Sequence, residues 1–274
     1  MKIRSVASQL LLALCLIPFA GATEFVETAP KPYVPVEGQA GKDVVWVPTP
    51  SVLVEKMLDM ASVTPQDLVV DLGSGDGRNV IAAAKRGARA LGVEYNPDLV
   101  ELSKRAAAQE GVADKATFVH GDMFEADISQ ATVLALFLLP ENLKRLAPKF
   151  LDLRPGARIV ANHFGIEGWE ADETGRADGE CGAWCTALLY IVPAKVAGTW
   201  RLPEGELTLE QSYQKLSGTL SSDGTSASIT NGRLRGEEIR FMVGSAEYVG
   251  RVQGDMMFGA DGTWNAVRVA PGPQ

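Results

Sequence analysis

Apolar and polar positions change their period along the middle of the chain, and this pattern predicts strands that alternate with helices. The predicted strands are 68–72, 88–94, 117–120, 131–139, 158–164 and 184–192, and the predicted helices are 51–60, 79–86, 97–110 and 142–151. Strands that alternate with helices are typical of a doubly wound, Rossmann-like α/β sheet. The run 131–139 is apolar throughout, which predicts a central strand buried on both faces.

The pattern changes after Pro193. Between residues 199 and 269, Gly, Ser and Thr are frequent and short runs alternate apolar with polar positions. Asn231-Gly232 is the strongest hairpin-turn signal, with further turns predicted at 253–254 and 261–262. This part predicts a small antiparallel β meander or barrel. The expected organisation is a signal peptide (1–22), an extended linker (23–45), the α/β domain (46–195) and an all-β domain (198–274).

The N-terminus has the pattern of a secretory signal. Lys2 and Arg4 precede an apolar run at 10–20, and Ala20-Gly21-Ala22 fits a small-residue cleavage site. We therefore expect an exported, periplasmic protein. An uncleaved N-terminal membrane anchor and a mitochondrial-type address are the alternatives.

Two cysteines, Cys181 and Cys185, lie outside the predicted signal. In an oxidising compartment a short-loop disulfide is plausible, with free thiols as the alternative. No nearby histidine completes a zinc ligand set, so no metal is predicted. The net charge of the 274-residue chain is −8, and this disfavours nucleic acid as a partner.

The richest chemical signal is a glycine-rich turn directly after the first strand, at 71–78 (DLGSGDGR). Glu94 follows Gly73 by 21 residues, at the end of the second strand. Such a turn with a following acid builds a nucleoside crevice in α/β sheets. A dinucleotide fingerprint needs glycine where Arg78 stands, and acids within the turn repel a pyrophosphate. They attract an ammonium and a sulfonium, so the turn predicts S-adenosylmethionine (SAM), with NAD as the lesser alternative.

Each part of SAM has a candidate partner. The turn offers backbone N–H groups to the carboxylate, the acid at the strand end suits the ammonium, and Glu94 suits the ribose hydroxyls. The next residue could pack on adenine, and the pair after the third strand could line the adenine slot. The alternatives are an ordinary capping acid at 94 and a turn acid at 122. The predicted cofactor-binding residues are Asp71, Gly73, Ser74, Gly75, Glu94, Tyr95, Asp122 and Met123.

The methyl acceptor is expected beyond the fourth strand, where Leu139 and Pro140 form an apolar lip; no acid or base is assigned there. An Asn-Pro-Pro-Tyr-like motif is absent, which disfavours nucleobase N-methylation. His163, at the end of the fifth strand, could contact the acceptor or serve as a local hydrogen-bonding group. Trp169 and Trp184 could line the acceptor pocket or fill the core.

Several motifs together resemble a known family. Val47-Pro48-Thr49-Pro50, the glycine-rich turn, 92–97 (GVEYNP) and 137–140 (FLLP) are similar to the mitochondrial protein-lysine methyltransferases of the ATP synthase c-subunit and the adenine nucleotide translocase. The likeness covers about residues 46–170. It implies a class I methyltransferase fold, a SAM site that includes Gly73, Gly75, Glu94 and Asp122, and a lysine acceptor near Leu139-Pro140. The predicted export signal and the C-terminal β unit depart from that family.

The sequence thus predicts a SAM-dependent enzyme that methylates an amine, with a protein lysine as the favoured acceptor. A small-molecule amine is an alternative acceptor, and a membrane-associated acceptor is compatible with the pattern. A non-catalytic envelope protein that keeps the SAM fold for binding is the competing class.

Overall fold

The computed structural model describes residues 33–269. The predicted signal peptide and residues 23–32 of the predicted linker lie outside the described residues. Within 33–269, no helix is long and apolar enough to cross a membrane.

The α/β part contains four helices and seven strands. The helices are α1 (Ser51–Met60), α2 (Arg78–Lys85), α3 (Pro97–Gln109) and α4 (Pro140–Leu151), and the strands are β1 (Leu68–Leu72), β2 (Arg89–Glu94), β3 (Ala116–His120), β4 (Val133–Leu136), β5 (Arg158–Asn162), β6 (Glu173–Arg176) and β7 (Thr186–Ile191). The strands form one sheet in the order β3-β2-β1-β4-β5-β7-β6. The first five are parallel, whereas β7 runs antiparallel to β5 and β6 runs antiparallel to β7. The predicted doubly wound sheet is confirmed.

A local capping signal explains the start of α3 but not that of α1. Asn96 accepts a hydrogen bond from the Asp98 N–H at 2.9 Å, and Pro97 occupies the first turn, as predicted for α3. Ser51 is not an N-cap as expected; Pro50 occupies that position, and α1 has no side-chain cap. Every residue of β4 is buried, because hydrophobic clusters cover both faces of the sheet.

The remaining strands close into a barrel, as the alternating runs predicted. They are β8 (Gly198–Leu202), β9 (Gly205–Ser212), β10 (Lys215–Ser222), β11 (Thr225–Arg235), β12 (Glu238–Val243), β13 (Ala246–Gln253), β14 (Met256–Gly259) and β15 (Asn265–Arg268). Trp200, Leu234 and Phe241 are among the buried side chains that fill its interior. The predicted domain boundary at 195–198 falls in the segment between β7 and β8.

The predicted hairpin turn at Asn231-Gly232 is wrong. Both residues lie within β11, where the pairing with β10 and with β12 shifts register. Asn231 has a φ of 52°, which is the left-handed conformation that the turn signal encodes. Here that conformation forms a bulge in a long strand, and bulges of this kind bend strands at barrel corners.

Two further features were missed or left open. The hairpin strand β6 was missed because its sequence, Glu-Thr-Gly-Arg, is polar and mostly exposed. Cys181 and Cys185 form a disulfide, which resolves the choice between a bridge and free thiols in favour of the bridge.

The barrel packs against the segment that follows β5. Tyr213 stacks on Trp169 with ring centroids 5.1 Å apart, and its hydroxyl donates to the Glu167 carbonyl at 3.1 Å. Arg233 pairs with Asp172 at 3.2 Å. The barrel therefore braces the connection that leads from β5 to β6.

Candidate active site

The glycine-rich turn has a backbone that only glycine adopts readily. Gly73, Gly75 and Gly77 have φ values of 74°, 55° and 82°, all in the left-handed region. A Cβ on Gly77 would lie 2.7 Å from the Phe118 ring, and one on Gly75 would lie 2.6 Å from Nε1 of Trp46. The glycines thus serve both the turn and the close packing around it.

The backbone donors of this turn bond to the end of β2. The Gly73 and Ser74 N–H groups donate to the Val93 carbonyl at 2.8 and 3.1 Å, and the Gly75 N–H donates to Glu94 at 2.9 Å. These three N–H groups already have acceptors within the protein, so their contact with the SAM carboxylate stays a prediction. Their bonds lock the turn against the strand.

Asp71, the last polar residue of β1, is 3% exposed. Burial raises the pKa of its carboxyl well above the usual range, and the nearby carboxylates Glu94 and Asp76 raise it further. The Asn79 side-chain amide donates to it at 3.0 Å and acts in the opposite direction. A buried carboxylate in an acidic neighbourhood favours a cationic ligand group.

Glu94 lies at the end of β2, with both oxygens engaged by the backbone. Oε2 accepts from the Gly75 N–H at 2.9 Å, and Oε1 accepts from the Asn96 N–H at 2.8 Å. A carboxylate has lone pairs for about four hydrogen bonds, so each oxygen can still accept from a hydroxyl. The backbone contacts fix the orientation of Glu94 and leave acceptor capacity for a ribose.

The segment 33–50, which precedes α1, covers the other side of the crevice. The Trp46 N–H donates to the Gln39 carbonyl and the Gly38 N–H donates to the Trp46 carbonyl, each at 2.9 Å, so the segment closes on itself. Its Lys42 pairs with Asp122 and lies 4.7 Å from the Tyr95 ring centroid. Together with the Phe124 N–H, this ammonium lowers the pKa of the Asp122 carboxyl. We call residues 33–50 the strap.

The strap and the sheet edge enclose one cleft in two adjoining parts, with Trp46, Val47, Gly73 and Phe137 common to both. The larger part holds about 680 Å³ of space free of protein atoms, including some open to solvent. Of the predicted residues, the larger part is lined by Gly73, Glu94, Tyr95, Asp122 and Met123, and the smaller part by Asp71, Gly73, Ser74 and Gly75. The structure thus brings all eight predicted residues to one cleft; their individual binding roles stay predictions.

Other predicted residues lie apart from this lining. Leu139 is 41% exposed and precedes α4, which Pro140 begins, and neither lines the cleft. Phe137 lines it instead. The sequence reasoning also missed Trp46, Lys42 and Asn79, because their roles depend on how the strap and α2 fold back over the turn.

The cleft offers partners to the ammonium, the ribose and the adenine of SAM. The smaller part offers the buried Asp71 carboxylate to an ammonium, and the larger part offers Glu94 and Asp122 to the ribose and the adenine amine. A half-buried aromatic, Phe137, lies where the two parts meet. Sheet order, glycine turn and cleft together define a class I SAM-dependent methyltransferase.

Comparisons with known proteins support the assignment to the methyltransferases. The family profile described as the ANTKMT methyltransferase domain matches residues 71–173. A protein-lysine N-methyltransferase of Saccharolobus islandicus is 40% identical over 153 residues, which cover 54% of this chain and 94% of that protein. The rat lysine N-methyltransferase of the ATP synthase c-subunit is 39% identical over 130 residues, 47% of this chain and 60% of that protein.

A solved structure extends the likeness to the backbone. An RNA methyltransferase from Salinibacter ruber, in complex with S-adenosyl-L-homocysteine, is 43% identical with a TM-score of 0.51, over 55% of this chain and 96% of that one. The chain belongs to the family of SAM-dependent protein-lysine N-methyltransferases, and SAM is its methyl donor.

Proposed function

We propose that the chain transfers the methyl group of SAM to the ε-amino group of a lysine in a protein. The observation that carries the proposal is the match to the Saccharolobus enzyme along nearly its whole length, combined with a cleft that presents carboxylates to the donor. The rat relative is matched over 60% of its length, so its particular substrate is not transferred to this chain.

SAM supplies an activated methyl group on a sulfonium. The chain must hold a neutral amine in line with the methyl carbon and exclude water. The amine lone pair forms the new N–C bond, the C–S bond breaks with its electron pair left on sulfur, and the proton lost by the lysine ammonium goes to solvent. The products are a methylated lysine and S-adenosylhomocysteine.

RNA is the second candidate acceptor, because the similar Salinibacter structure is described as an RNA methyltransferase. The net charge of −8 argues against it, since polyanion binding relies on basic surface. A cationic lysine is attracted by the same charge.

In the test, the purified full chain and tritium-labelled SAM are incubated separately with the protein fraction and with the RNA fraction of a host cell. We expect label in ε-N-methyl-lysine after complete hydrolysis, and none with Glu94→Gln. Label confined to nucleosides would show that RNA is the methyl acceptor. A folded chain that binds SAM but labels no fraction would establish the non-catalytic binding protein.

We also propose that the protein is exported and that its acceptor is met outside the cytosol. The disulfide between Cys181 and Cys185 supports this, because such bridges persist in oxidising compartments. Mass spectrometry of the mature N-terminus tests it. Cleavage after Ala22 is expected, whereas an intact Met1 in a cytosolic fraction would contradict export.

A further inference from the structure

Four aromatic side chains form a continuous surface beside the cleft. The ring centroids of Phe137 and Trp184 are 5.3 Å apart, and His163 lies 5.0 Å from both Phe164 and Trp184. Phe164 completes the set, at 5.8 Å from Trp184 and 6.3 Å from Phe137. We call these residues the aromatic wall: Phe137, His163, Phe164 and Trp184.

The topology explains why these residues meet. Phe137 follows β4, His163 and Phe164 follow β5, and Trp184 precedes β7, which is antiparallel to β5. The carboxyl ends of β4 and β5 and the amino end of β7 therefore share one edge of the sheet. Ligands of open α/β sheets bind at this edge. Since Phe137 also lines both parts of the cleft, the wall begins at the cofactor site and leads away from it.

The wall is accessible from outside. Phe137, Phe164 and Trp184 are half-buried and His163 is exposed, whereas aromatic rings that serve only as core are covered. Trp169, the other tryptophan predicted to line the acceptor pocket or fill the core, is 3% exposed and packs under the barrel. The structure separates the two tryptophans into a surface ring and a core ring.

The backbone at His163 is held in an uncommon conformation. Its φ is 63°, and the Phe164 N–H donates to the Asn162 carbonyl at 2.7 Å, which closes a γ-turn around His163. A γ-turn with positive central φ is strained in a non-glycine residue, and such strain concentrates at binding sites. Here it turns the His163 ring edge-on against both Phe164 and Trp184, with interplanar angles of 87° and 88°.

A second observation points to a ligand at the same place. Asn162, directly before His163, is 1% exposed, and its Oδ1 has no hydrogen-bond partner within residues 33–269. Its amide nitrogen lies 3.4 Å from the Thr49 hydroxyl, and Thr49 lines the smaller part of the cleft. A buried acceptor without a donor is unusual, and a donor on a ligand bound beside Thr49 would satisfy it.

The loop that carries Trp184 is acidic. Asp178 and Glu180, both exposed, lie in the loop that carries Trp184, and residues 177–185 contain no basic side chain. Aromatic faces attract ammonium groups, and a net negative charge on the loop that carries one of the rings adds to that attraction.

We propose, resting on the lysine acceptor of the proposed function, that the aromatic wall is the binding site of the acceptor side chain. The methylene chain lies along Phe164 and Trp184, and the amino group passes Phe137 to reach the methyl carbon.

The test uses the five tryptophans as separate reporters. Full-length protein containing 5-fluorotryptophan is saturated with S-adenosylhomocysteine and titrated with Nα-acetyl-lysine amide while ¹⁹F spectra are recorded. The Trp46 signal should respond to the nucleoside, and the Trp184 signal, assigned with Trp184→Phe, should shift saturably with the lysine probe. Trp200 and Trp264, in the barrel interior, should not move. Nα-acetyl-norleucine amide, which lacks the ammonium, should bind roughly 2- to 30-fold more weakly.

Kinetics with the same probe as acceptor provide the second readout. Phe164→Leu and His163→Gly should raise the acceptor KM at least severalfold and leave the SAM Kd unchanged; glycine keeps the γ-turn while it removes the ring. Phe258→Leu, an exposed aromatic on the barrel, is the matched control and should change neither value.

The possible results distinguish failure of the acceptor site from failure of the proposed function. Methyl-lysine formation with a static Trp184 signal and an unchanged KM would overturn the wall and leave the proposed function standing. A Trp184 shift with uridine or adenosine monophosphate, and none with the lysine probe, would overturn the lysine site in favour of a stacked base. A lysine-dependent shift in a protein that labels only RNA would refute the proposed function while the wall binds a cation.

Discussion

Asp71 is held in the cleft at a cost to the ligand-free protein. Its carboxyl is buried, with Asn79 as donor and with the acids Glu94 and Asp76 nearby. Because burial raises its pKa above the unfolded value, the group favours the folded state below the unfolded pKa. That contribution is lost as pH rises through the raised folded value. At neutral pH, which lies above the unfolded pKa, this shift destabilises the ligand-free folded state until a cation reaches the carboxyl.

Asp71→Asn should therefore raise the Tm of the ligand-free protein at pH 7 to 8, and the difference from the parent should shrink in acid. The same change should weaken SAM binding roughly 10- to 100-fold, the magnitude of a hydrogen bond to a charged group. In the parent chain, SAM affinity should also fall as pH drops below the raised pKa, since the protonated carboxyl no longer attracts the ammonium. Calorimetric titration across pH measures both effects.

Methylthioadenosine, which keeps the nucleoside and lacks the ammonium, is the matched ligand. Its affinity should not respond to Asp71→Asn. An equal loss for both ligands would mean that Asp71 shapes the turn and does not bind the amino-acid end.

Gly75 tests the contact between the turn and the strap. Gly75→Ala places a methyl 2.6 Å from Nε1 of Trp46 and forces a φ of 55° on alanine. Gly111→Ala imposes a similar φ of 68° in open space. The control should lose about 1 kcal/mol of stability from backbone strain alone. Gly75→Ala should lose more and should also weaken SAM binding, because Trp46 must move off the turn. Equal denaturation midpoints and equal SAM affinity for the two variants would exclude the strap contact.

At the scale of elements, local patterning was enough where one signal had one meaning. The Asn96-Pro97 start of α3 and the glycine turn formed as predicted, and the apolar run 131–139 contains the buried strand β4, which is shorter than predicted because Leu139 already caps α4. The hairpin turn predicted at Asn231-Gly232 was wrong because the dipeptide favours a left-handed residue but does not determine whether the chain reverses there. Strand β6 was not predicted because its four residues are ordered by pairing with β7 and not by an apolar pattern of their own.

The residues of the candidate site also fall into two groups, those that the sequence predicted and those that it did not. Residues that directly follow strands reached the cleft, because the ends of parallel strands meet at one edge. The strap, through Lys42 and Trp46, and the aromatic wall depend on contacts between segments far apart in sequence, such as the pairing of Lys42 with Asp122. No periodicity in either segment encodes that contact.

Removing the disulfide should impair binding of the methyl acceptor without affecting binding of SAM. Trp184 lies inside the loop, and its N–H donates to the Cys181 carbonyl at 2.9 Å. Replacing both cysteines by serine should cost about 2 kcal/mol of unfolding free energy for so short a loop. The acceptor KM should rise while the SAM Kd stays the same, because the loop does not line the cofactor cleft. A change confined to SAM affinity would contradict this assignment.

At the scale of the whole molecule, the barrel contacts the acceptor side of the α/β part. Tyr213 and Arg233 reach residues 167–172, which continue from the aromatic wall toward β6. Gln214 adds a hydrogen bond from its side-chain amide to the Glu170 carbonyl at 2.5 Å. The residues that line the cofactor cleft all precede residue 138 and include none from the barrel. The barrel is therefore placed to influence acceptor binding without entering the SAM site.

Tyr213→Ala should reveal this division. Losing the ring stack on Trp169 and the hydroxyl bond to Glu167 should lower the unfolding free energy by about 2 kcal/mol. It should also raise the acceptor KM, since the segment after Phe164 loses its brace, while the SAM Kd stays within twofold of the parent. Tyr213→Phe keeps the stack and removes only the hydroxyl bond, so it should lose about 1 kcal/mol and show a smaller rise in KM. Paired denaturation curves and initial rates on the three proteins check the order. A Tyr213→Ala protein with reduced stability and a normal KM would show that the barrel stabilises the molecule without shaping acceptor recognition.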